Sequence, residues 1–299
     1  MLSPEQIQSL SLASAPKIQA MREQILACGS ALVAFSGGVD STLVLKIAAE
    51  VLGSRVVALT ALSPSLPQHE ELEAKRLATS IGVRHELLQS HELSNPSYAQ
   101  NAPSRCYFCK TELYELCEVK RTELGLGAIL DGFNADDFQD HRPGHAAARE
   151  HRVISPLAQA GLGKAEIRAW SFNLGLPTWD KPQMACLASR IPYGTSVTAE
   201  RLGQIGSAES GLRKLGLRSF RMRYHGEVAR LEVSADEYEM FYSADFRRRV
   251  NDLLKSRGFA FVALDLEPFR SGRMNESLQG SSRRSAGVSA ADESGIAGG

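Results

Sequence analysis

The sequence predicts an α/β fold, in which a doubly wound, mostly parallel sheet is followed by a smaller α+β domain and a disordered C-terminal tail. Three patterns lead to this prediction. Short apolar runs alternate with helical spacing as far as about residue 192, and apolar-polar alternation of period two appears after it. Residues 271–299 contain many Ser, Gly and Ala and almost no large apolar side chains. Strands that alternate with helices favour a parallel sheet, and segments without large apolar residues favour disorder.

Four strands are expected in the first part of the chain, with helices between them. Ile18, Met21 and Ile25 have the spacing of a core-facing helix that precedes the first strand. The predicted strands cover residues 31–35, Val56–Leu62, residues 84–88 and the beginning of residues 127–137. The predicted helices follow the first strand directly, lie around Gln68–Ile81 and cover residues 106–124.

The second part of the chain has a different pattern. A helix at residues 199–215 precedes two alternating strands that meet at a His-Gly-Glu turn, and a helix at 235–256 and a strand at 259–266 follow. The expected organisation is therefore a domain of residues 1–192, a second domain of residues 193–270 and a tail of residues 271–299.

Composition limits the class of protein. Lys and Arg together number 34, as do Asp and Glu, so no overall positive charge favours a nucleic-acid partner. No apolar run approaches the ~20 residues that span a bilayer, and the N-terminus lacks the pattern of a signal peptide, so we expect a cytoplasmic protein. Five cysteines in such a chain favour thiols, metal ligands or reactive sulfur over disulfides.

The stretch LVAFSGGVDSTLVLKIA puts a small polar turn between a strand and a helix. Backbone N–H groups and the positive end of the helix meet there, and glycine lets an anion approach the backbone closely. An acidic residue in such a turn requires a divalent cation or a polar network. The candidate nucleotide-binding residues are Ser36, Gly37, Gly38, Asp40, Ser41 and Thr42.

This turn lacks the lysine of a Walker A loop and the spacing of a dinucleotide fold. It resembles the pyrophosphate (PP) loop, S-G-G-x-D-S/T, of the adenine-nucleotide α-hydrolases. The resemblance implies that residues 1–192 form a PP-loop ATP-pyrophosphatase domain that uses ATP with Mg²⁺. In that family a substrate oxygen attacks the α-phosphate, and an adenylate forms.

The cysteines point to sulfur chemistry after adenylation. Cys106 and Cys109 have C-x-x-C spacing near a helix N-terminus, which lowers thiol pKa, and Cys186 lies in a distant loop. The pair alone is compatible with a redox motif, half a zinc site or chance. Three thiolates can hold three irons of a 4Fe-4S cluster, whereas zinc requires a fourth ligand. Cys28 and Cys117 fit helical apolar patterns, so we expect buried structural thiols there.

Five segments, FSGGVDST, RCYFCKTELY, ILDGFNADD, RVISPLAQAGLGKAEIRAW and CLASRIPYG, together resemble the LarE family. Its members are ATP-dependent sulfur transferases that build the nickel-pincer nucleotide cofactor of lactate racemase. The resemblance implies adenylation of pyridinium-3,5-biscarboxylic acid mononucleotide and displacement of AMP by sulfur. One branch sacrifices the sulfur of a single cysteine at the Cys186 position. The other has three cysteines and a 4Fe-4S cluster, and Cys106, Cys109 and Cys186 match that branch.

The resemblance also implies roles in the second domain, which would bind substrate and contribute to oligomerisation. Period two places Arg221, Arg223 and His225 on one strand face, and the two arginines match the family's pair for the substrate phosphate. Glu209 and Glu232 match acidic residues near a divalent cation. A homo-oligomer, a hexamer by resemblance, and a downstream nickel-insertion protein complete the expected partners.

One polar loop and one arginine are further candidates. Asp131, Asn134, Asp136 and Asp137 follow a buried strand at its carboxyl end, where α/β sheets bind ligands, although an ordinary polar turn has the same pattern. Arg190 follows Cys186 by four residues and is a candidate to steady an adenylate or a thiolate.

Three other functions are compatible with parts of the sequence. A tRNA-thiolating PP-loop enzyme combines the same loop with cysteines but calls for a basic surface. A non-catalytic iron–sulfur or zinc scaffold would bind ATP poorly. A plain amidating synthetase would need no group of three cysteines, so replacing Cys186 would leave its activity intact.

Overall fold

The computed structural model of the chain describes residues 3–139, 144–182 and 185–270. The chain falls into two compact units that divide between Gly206 and Ser207. The domain boundary expected at residues 192/193 stays a prediction, and the expected tail at 271–299 lies outside the described residues.

The first unit contains a four-stranded parallel sheet. Its strands are β1 (Ala31–Ala34), β2 (Val56–Leu62), β3 (Arg84–Gln89) and β4 (Ala128–Leu130), arranged in the order β3-β2-β1-β4. Ala31 is in register with Val56 of β2 and with Ala128 of β4. All three pairings are parallel, so the carboxyl ends of the four strands meet at one edge of the sheet. The predicted α/β class is confirmed.

Nine helices of the described chain begin within the first unit. They are α1 (Pro4–Ala27), α2 (Val39–Leu52), α3 (Gln68–Ile81), α4 (Pro96–Ala99), α5 (Arg105–Glu123), α6 (Gly144–Glu150), α7 (Pro156–Gln159), α8 (Lys164–Asn173) and α9 (Ala199–Lys214). Helix α3 coincides with its prediction and α5 begins one residue earlier than predicted. The fourth strand is only three residues long because Asp131 and Gly132 already belong to the loop after it.

Alternating residues of β1 pack into two separate cores. Ala31 and Val33 join side chains of α1, α2, α3 and α8, whereas Leu32 and Ala34 join side chains of α5 and α6. Successive side chains of a strand point to opposite faces of its sheet, so helices cover both faces. The sheet is therefore doubly wound, as predicted.

The second unit contains a three-stranded sheet. Strands β5 (Phe220–His225) and β6 (Val228–Val233) are antiparallel, and β7 (Phe261–Leu264) runs parallel to β6. The helix predicted over 235–256 is wrong in its first part. Residues Ala235–Tyr242 form a 3-10 helix, and α10 covers Ala244–Ser256. The break occurs because the Ser243 hydroxyl caps α10, accepting a hydrogen bond from the Phe246 amide at 3.3 Å.

Among the helices described, none combines the length and the hydropathy that crossing a bilayer requires.

Candidate active site

A cavity of about 450 Å³ opens where the four parallel strands end. Its lining comes from two groups of segments. We call the PP loop, residues 36–42, and the segments after β4 the PP-loop end, and we call the loops after β2 and β3, the start of α5 and the loop before residue 187 the cysteine end. The PP-loop end is lined by Ser36, Gly38, Asp40, Ser41, Asp131, Asp137, Lys164 and Arg168. The cysteine end is lined by Ser63, Ser65, Glu92, Tyr98, Arg105, Cys106, Cys109, Lys110 and Cys186.

The PP loop is a tight turn at the N-terminus of α2. Gly37 has a φ of 71°, and a Cβ atom there would lie 3.3 Å from Ala74, so glycine is required on both counts. The Ser36 and Ser41 hydroxyls lie 3.1 Å apart and fix the loop across its base. Thr42 is fully buried and, like Gly37, does not line the cavity. Four of the six predicted nucleotide-binding residues therefore face the cavity and two shape the turn.

Asp40 carries the negative charge that the turn has to offset. Its carboxylate is paired with the Lys164 ammonium and accepts a hydrogen bond from the Asn134 amide at 3.4 Å. Burial raises the pKa of Asp40, while the charges of Lys164 and Arg168 oppose that rise. The polar network expected from the sequence is thus present, and its main cation comes from the start of α8.

The polar loop after β4 supplies two cavity carboxylates. Asp131 is buried and accepts a hydrogen bond from the Tyr114 hydroxyl at 2.8 Å, and Asp137 lies nearby on the wall. Asp136 has a different role, because it accepts a hydrogen bond from the Lys164 amide at 2.7 Å and so caps α8. Of these sequence-based candidates, Asp131 and Asp137 therefore line the cavity, whereas Asp136 supports α8.

The three candidate cysteines line the same end of the cavity. Cys106 and Cys109 lie in the first turn of α5, and Cys186 immediately precedes a 3-10 helix, Leu187–Arg190. The charge of Cys186 raises the pKa of both other thiols, which indicates that the three groups are close. Three soft thiol ligands in one cavity suit an iron–sulfur cluster chemically. Within the described residues, however, no three His, Cys, Asp or Glu side chains are already gathered as a metal-binding group.

The expected lowering of thiol pKa at the helix N-terminus is wrong here. Cys106 is exposed, yet the surrounding protein raises its thiol pKa by desolvation more than the neighbouring Arg105 guanidinium lowers it. Burial also raises the pKa of Cys109 well above its usual value, and the Glu92 carboxylate adds to the rise. Desolvation of a thiolate outweighs the helix dipole at these positions. Both thiols are therefore protonated near neutral pH in the metal-free chain.

Arg190 does not line the cavity. Its guanidinium is buried and donates to the Ala185 and Cys186 carbonyls, at 2.7 and 3.1 Å, so it supports the loop that carries Cys186. Cys117 is buried in the core, and burial raises its pKa to about 12, as expected of a structural thiol. Cys28 is partly buried and packs against the other core.

In the second unit, the predicted phosphate pair lies on β5 next to acidic residues. Arg223 donates to Glu232 through two nitrogens, at 2.8 and 3.0 Å, and Arg230 contacts the other oxygen of Glu232 at 3.1 Å. Arg221 lies over the Phe269 ring at 4.5 Å. Glu209 accepts a hydrogen bond from the Met222 amide at 3.2 Å. The carboxylates of Glu209 and Glu232 are buried and already contact protein donors. These two residues alone therefore do not fit a cation site.

Several cavity residues were not predicted as site residues. Lys164 and Arg168 belong to GLGKAEIR, a segment used only for the family resemblance, and Glu92 and Tyr98 follow β3. Since β3 was expected to be parallel to its neighbours, its carboxyl end was a signal that the polar residues after it reach the site. Arg105 begins RCYFCKTELY, another segment that carries the family resemblance, and its place next to Cys106 was the local signal for it.

Several known proteins are similar to this chain. The chain is 43% identical over 262 residues to an uncharacterised protein of Synechocystis sp., a match that covers 88% of this chain and 98% of that one. It is 25% identical over 242 residues to an uncharacterised protein of Methanocaldococcus jannaschii, covering 80% and 90%. Residues 18–102, which include the PP loop, match the asparagine synthase family model.

A third relative has a named activity. Pyridinium-3,5-bisthiocarboxylic acid mononucleotide synthase of Lactiplantibacillus plantarum is 39% identical over 247 residues, covering 82% of this chain and 89% of that enzyme. A match of this length spans most of both chains, well beyond the PP loop alone. The chain therefore belongs to the family of that synthase, the LarE family that its motifs resemble.

Proposed function

We propose that this chain is an ATP-dependent sulfur transferase that converts a carboxylate of pyridinium-3,5-biscarboxylic acid mononucleotide into a thiocarboxylate. The observation that carries the proposal is the cavity of about 450 Å³ that has the PP loop at one end and three cysteines at the other. An activated carboxyl group made at the first end can meet sulfur at the second without leaving the cavity. The PP-loop match and the named relative support the same activity.

The PP-loop end activates the substrate. A carboxylate oxygen attacks the α-phosphate of ATP, an O–P bond forms, and the bond to pyrophosphate breaks with its electron pair on the leaving group. Backbone N–H groups at the start of α2, with the Ser36 and Ser41 hydroxyls, bind the pyrophosphate. Asp40, Asp131 and Asp137 are acidic side chains of this lining and would hold the Mg²⁺ of ATP, which would offset charge on the phosphates.

The cysteine end supplies sulfur. A carboxylate is a poor electrophile, whereas its mixed anhydride with AMP has a good leaving group. A sulfur anion at this end of the cavity attacks the carbonyl carbon, a C–S bond forms, and the C–O bond to AMP breaks with its electron pair on AMP. Cys106, Cys109 and Cys186 would hold a 4Fe-4S cluster, which when bound leaves one iron open to a further sulfur ligand. Without a cluster, the Cys186 thiolate would attack and form a thioester. The thiocarboxylate would then leave as the Cβ–Sγ bond of Cys186 breaks with its electron pair on sulfur and the Cα proton is lost, which converts residue 186 to dehydroalanine.

The second unit binds the phosphate of the mononucleotide. Arg221 and Arg223 are neighbours on one face of β5, and Glu232 orients Arg223. Arginine binds phosphate with two parallel hydrogen bonds, so an oriented pair suits this group. By family resemblance the enzyme forms a homo-oligomer, a hexamer, in the cytoplasm and hands its product to a nickel-insertion protein. Glu209 and Glu232 would bind a divalent cation only if oligomerisation rearranged their donors.

A half-reaction assay tests this function. Protein purified without oxygen is mixed with ATP and the biscarboxylate nucleotide, and pyrophosphate and thiocarboxylate are measured separately. The wild type should form both, whereas Cys186→Ala should release pyrophosphate and form no thiocarboxylate. Cys28→Ala is the matched control, because its thiol lies outside the cavity, and it should retain both activities. A Cys186→Ala variant with full thiocarboxylate yield contradicts the proposed sulfur chemistry, and a wild type that releases no pyrophosphate contradicts adenylation.

A further inference from the structure

Tyr98 is a buried cavity residue whose hydroxyl has no hydrogen-bond partner in the described part of the chain. It lies in the short helix α4, is 1% exposed and lines the cysteine end of the cavity. A buried hydroxyl without a partner costs free energy, so such groups are usually paired. The Tyr98 hydroxyl is an exception, and under the proposed function its cavity has to accept a polar reaction intermediate.

The other polar groups at this end already have partners. Ser63 and Ser65 both donate to Glu92, Ser65 at 2.5 Å, so their hydroxyl protons are engaged. Arg105 donates to the Ala188 carbonyl at 3.0 Å and to Asn101. The Lys110 ammonium lies over the Phe133 ring at 5.3 Å. Lys110 keeps N–H donors of its own because a ring contact is not a hydrogen bond, so the Tyr98 hydroxyl is the neutral O–H donor among these described groups that remains for a ligand.

Its surroundings keep Tyr98 a proton donor close to the reacting sulfur. Burial raises its pKa, so the phenol keeps its proton. The Ser65 hydroxyl lies near the phenol and opposes that rise, but its geometry does not make a hydrogen bond. Tyr98 and Cys186 line the same cavity. A carbonyl carbon under attack by sulfur at Cys186 therefore brings its oxygen into the region of this hydroxyl.

We propose that the Tyr98 hydroxyl donates a hydrogen bond to the oxyanion that forms when sulfur attacks the acyl adenylate. The inference rests on the proposed function and assigns a residue to its second step. As a sulfur anion forms the C–S bond, the C=O electron pair moves to oxygen and Tyr98 stabilises that charge. The pair then re-forms C=O, and AMP leaves with the electrons of the broken C–O bond. A donor aimed at such a charge commonly contributes ~10²- to 10³-fold to rate.

The test separates the two half-reactions in Tyr98→Phe. Pyrophosphate release in the first turnover should remain within about 2-fold of the wild type, because adenylation occurs at the other end. The rate of thiocarboxylate formation should fall ~100-fold. Thermal stability should be unchanged or higher, since the substitution removes a hydroxyl that has no partner. Tyr107→Phe is the activity control, because the Tyr107 hydroxyl contacts Glu150 outside the cavity, and it should leave both rates unchanged.

Stability separates a catalytic role from a structural one. Tyr114→Phe should melt at a lower temperature, because it removes the donor of the buried Asp131 carboxylate. If Tyr98→Phe is destabilised as Tyr114→Phe is and slows both half-reactions equally, Tyr98 is structural and the inference is overturned. Unchanged thiocarboxylate formation in Tyr98→Phe overturns it as well. A wild type that makes no thiocarboxylate instead overturns the proposed function, a result visible before any variant is measured.

Discussion

Lys181 contacts both the PP loop and α3 and so connects them. Its ammonium donates to the Gly37 carbonyl at 3.1 Å and pairs with Glu70 and Glu73, at 2.7 and 2.8 Å. Burial acts to raise the pKa of Glu70, but the hydrogen bond from His69 and the charge of Lys181 outweigh it, so the pKa is lowered. A carboxylate that is more acidic in the folded chain stabilises the fold above its unfolded pKa.

Lys181→Met should therefore destabilise the first unit in a pH-dependent way. At pH 7 the buried Glu70 carboxylate loses its cation, and the free energy of unfolding should fall by about 3 kcal/mol. The loss should shrink as pH falls below about 4.3, where an ordinary Glu becomes protonated and no buried charge remains. Urea unfolding at several pH values measures this. Lys75→Met, which removes an exposed pair with Glu71, is the control and should cost under about 1 kcal/mol at every pH. A loss for Lys181→Met that is equal at pH 7 and pH 4 contradicts the ion-pair account.

Particular residues show which properties of the site a sequence pattern can predict and which it cannot. The string SGGVDST predicted the PP loop because consecutive residues form that loop. In the structure the glycines and hydroxyls of this string form the turn, as predicted. The thiol pKa values of Cys106 and Cys109 were predicted in the wrong direction. Their helix position is readable from sequence, but the burial that dominates their ionisation depends on the packing of distant segments.

At the scale of elements, a set of hydrogen bonds joins the segment before α5 to the loop after Cys186. The buried Asn101 amide donates to the carbonyls of Ile191, Pro192 and Thr195, at 3.2, 2.8 and 2.9 Å, and its oxygen accepts from Arg105. Asn101 has a φ of 58°, which asparagine tolerates better than most residues. This cluster holds the cysteines of α5 against the loop that carries Cys186.

Asn101→Ala should loosen that junction. Three carbonyls, of which that of Ile191 is buried, lose the Asn101 donor and the backbone keeps a left-handed conformation, so the free energy of unfolding should fall by about 2 kcal/mol. Hydrogen exchange should accelerate at the Gly194 and Val197 amides, which bond to carbonyls of the same segment. Asn95→Ala removes only the cap of α4 and should cost about 1 kcal/mol without changing that exchange. If the Gly194 and Val197 amides exchange as slowly in Asn101→Ala as in the wild type, the junction does not depend on the Asn101 side-chain amide.

For the whole molecule, periodicity predicted the doubly wound sheet, and the order of strands then determined where the cavity lies. Four carboxyl ends meet at one edge, so loops far apart in the chain enter one site. The contact between Asn101 and Ile191 joins positions 90 residues apart, and no local pattern encodes it. The sequence therefore predicts the PP loop and the cysteines as two halves of a site, and in the structure both line one cavity. The other side chains around the cysteines could be located only from the fold.

The cysteine arrangement predicts how many sulfur atoms one chain can deliver. With Cys106, Cys109 and Cys186 intact, anaerobic protein should contain about four iron and four sulfide per chain and form several thiocarboxylates when sulfide is supplied. The double variant Cys106→Ser/Cys109→Ser keeps Cys186 and the PP loop, so pyrophosphate release should persist. It should lose its iron and deliver at most one sulfur per chain, with the mass of H₂S lost at residue 186. The test is to measure iron and sulfide content, the number of thiocarboxylates formed and the intact mass on the same samples. Iron-free wild type that shows the same mass loss would mean that Cys186 is consumed, and Cys106 and Cys109 would then have no role as cluster ligands.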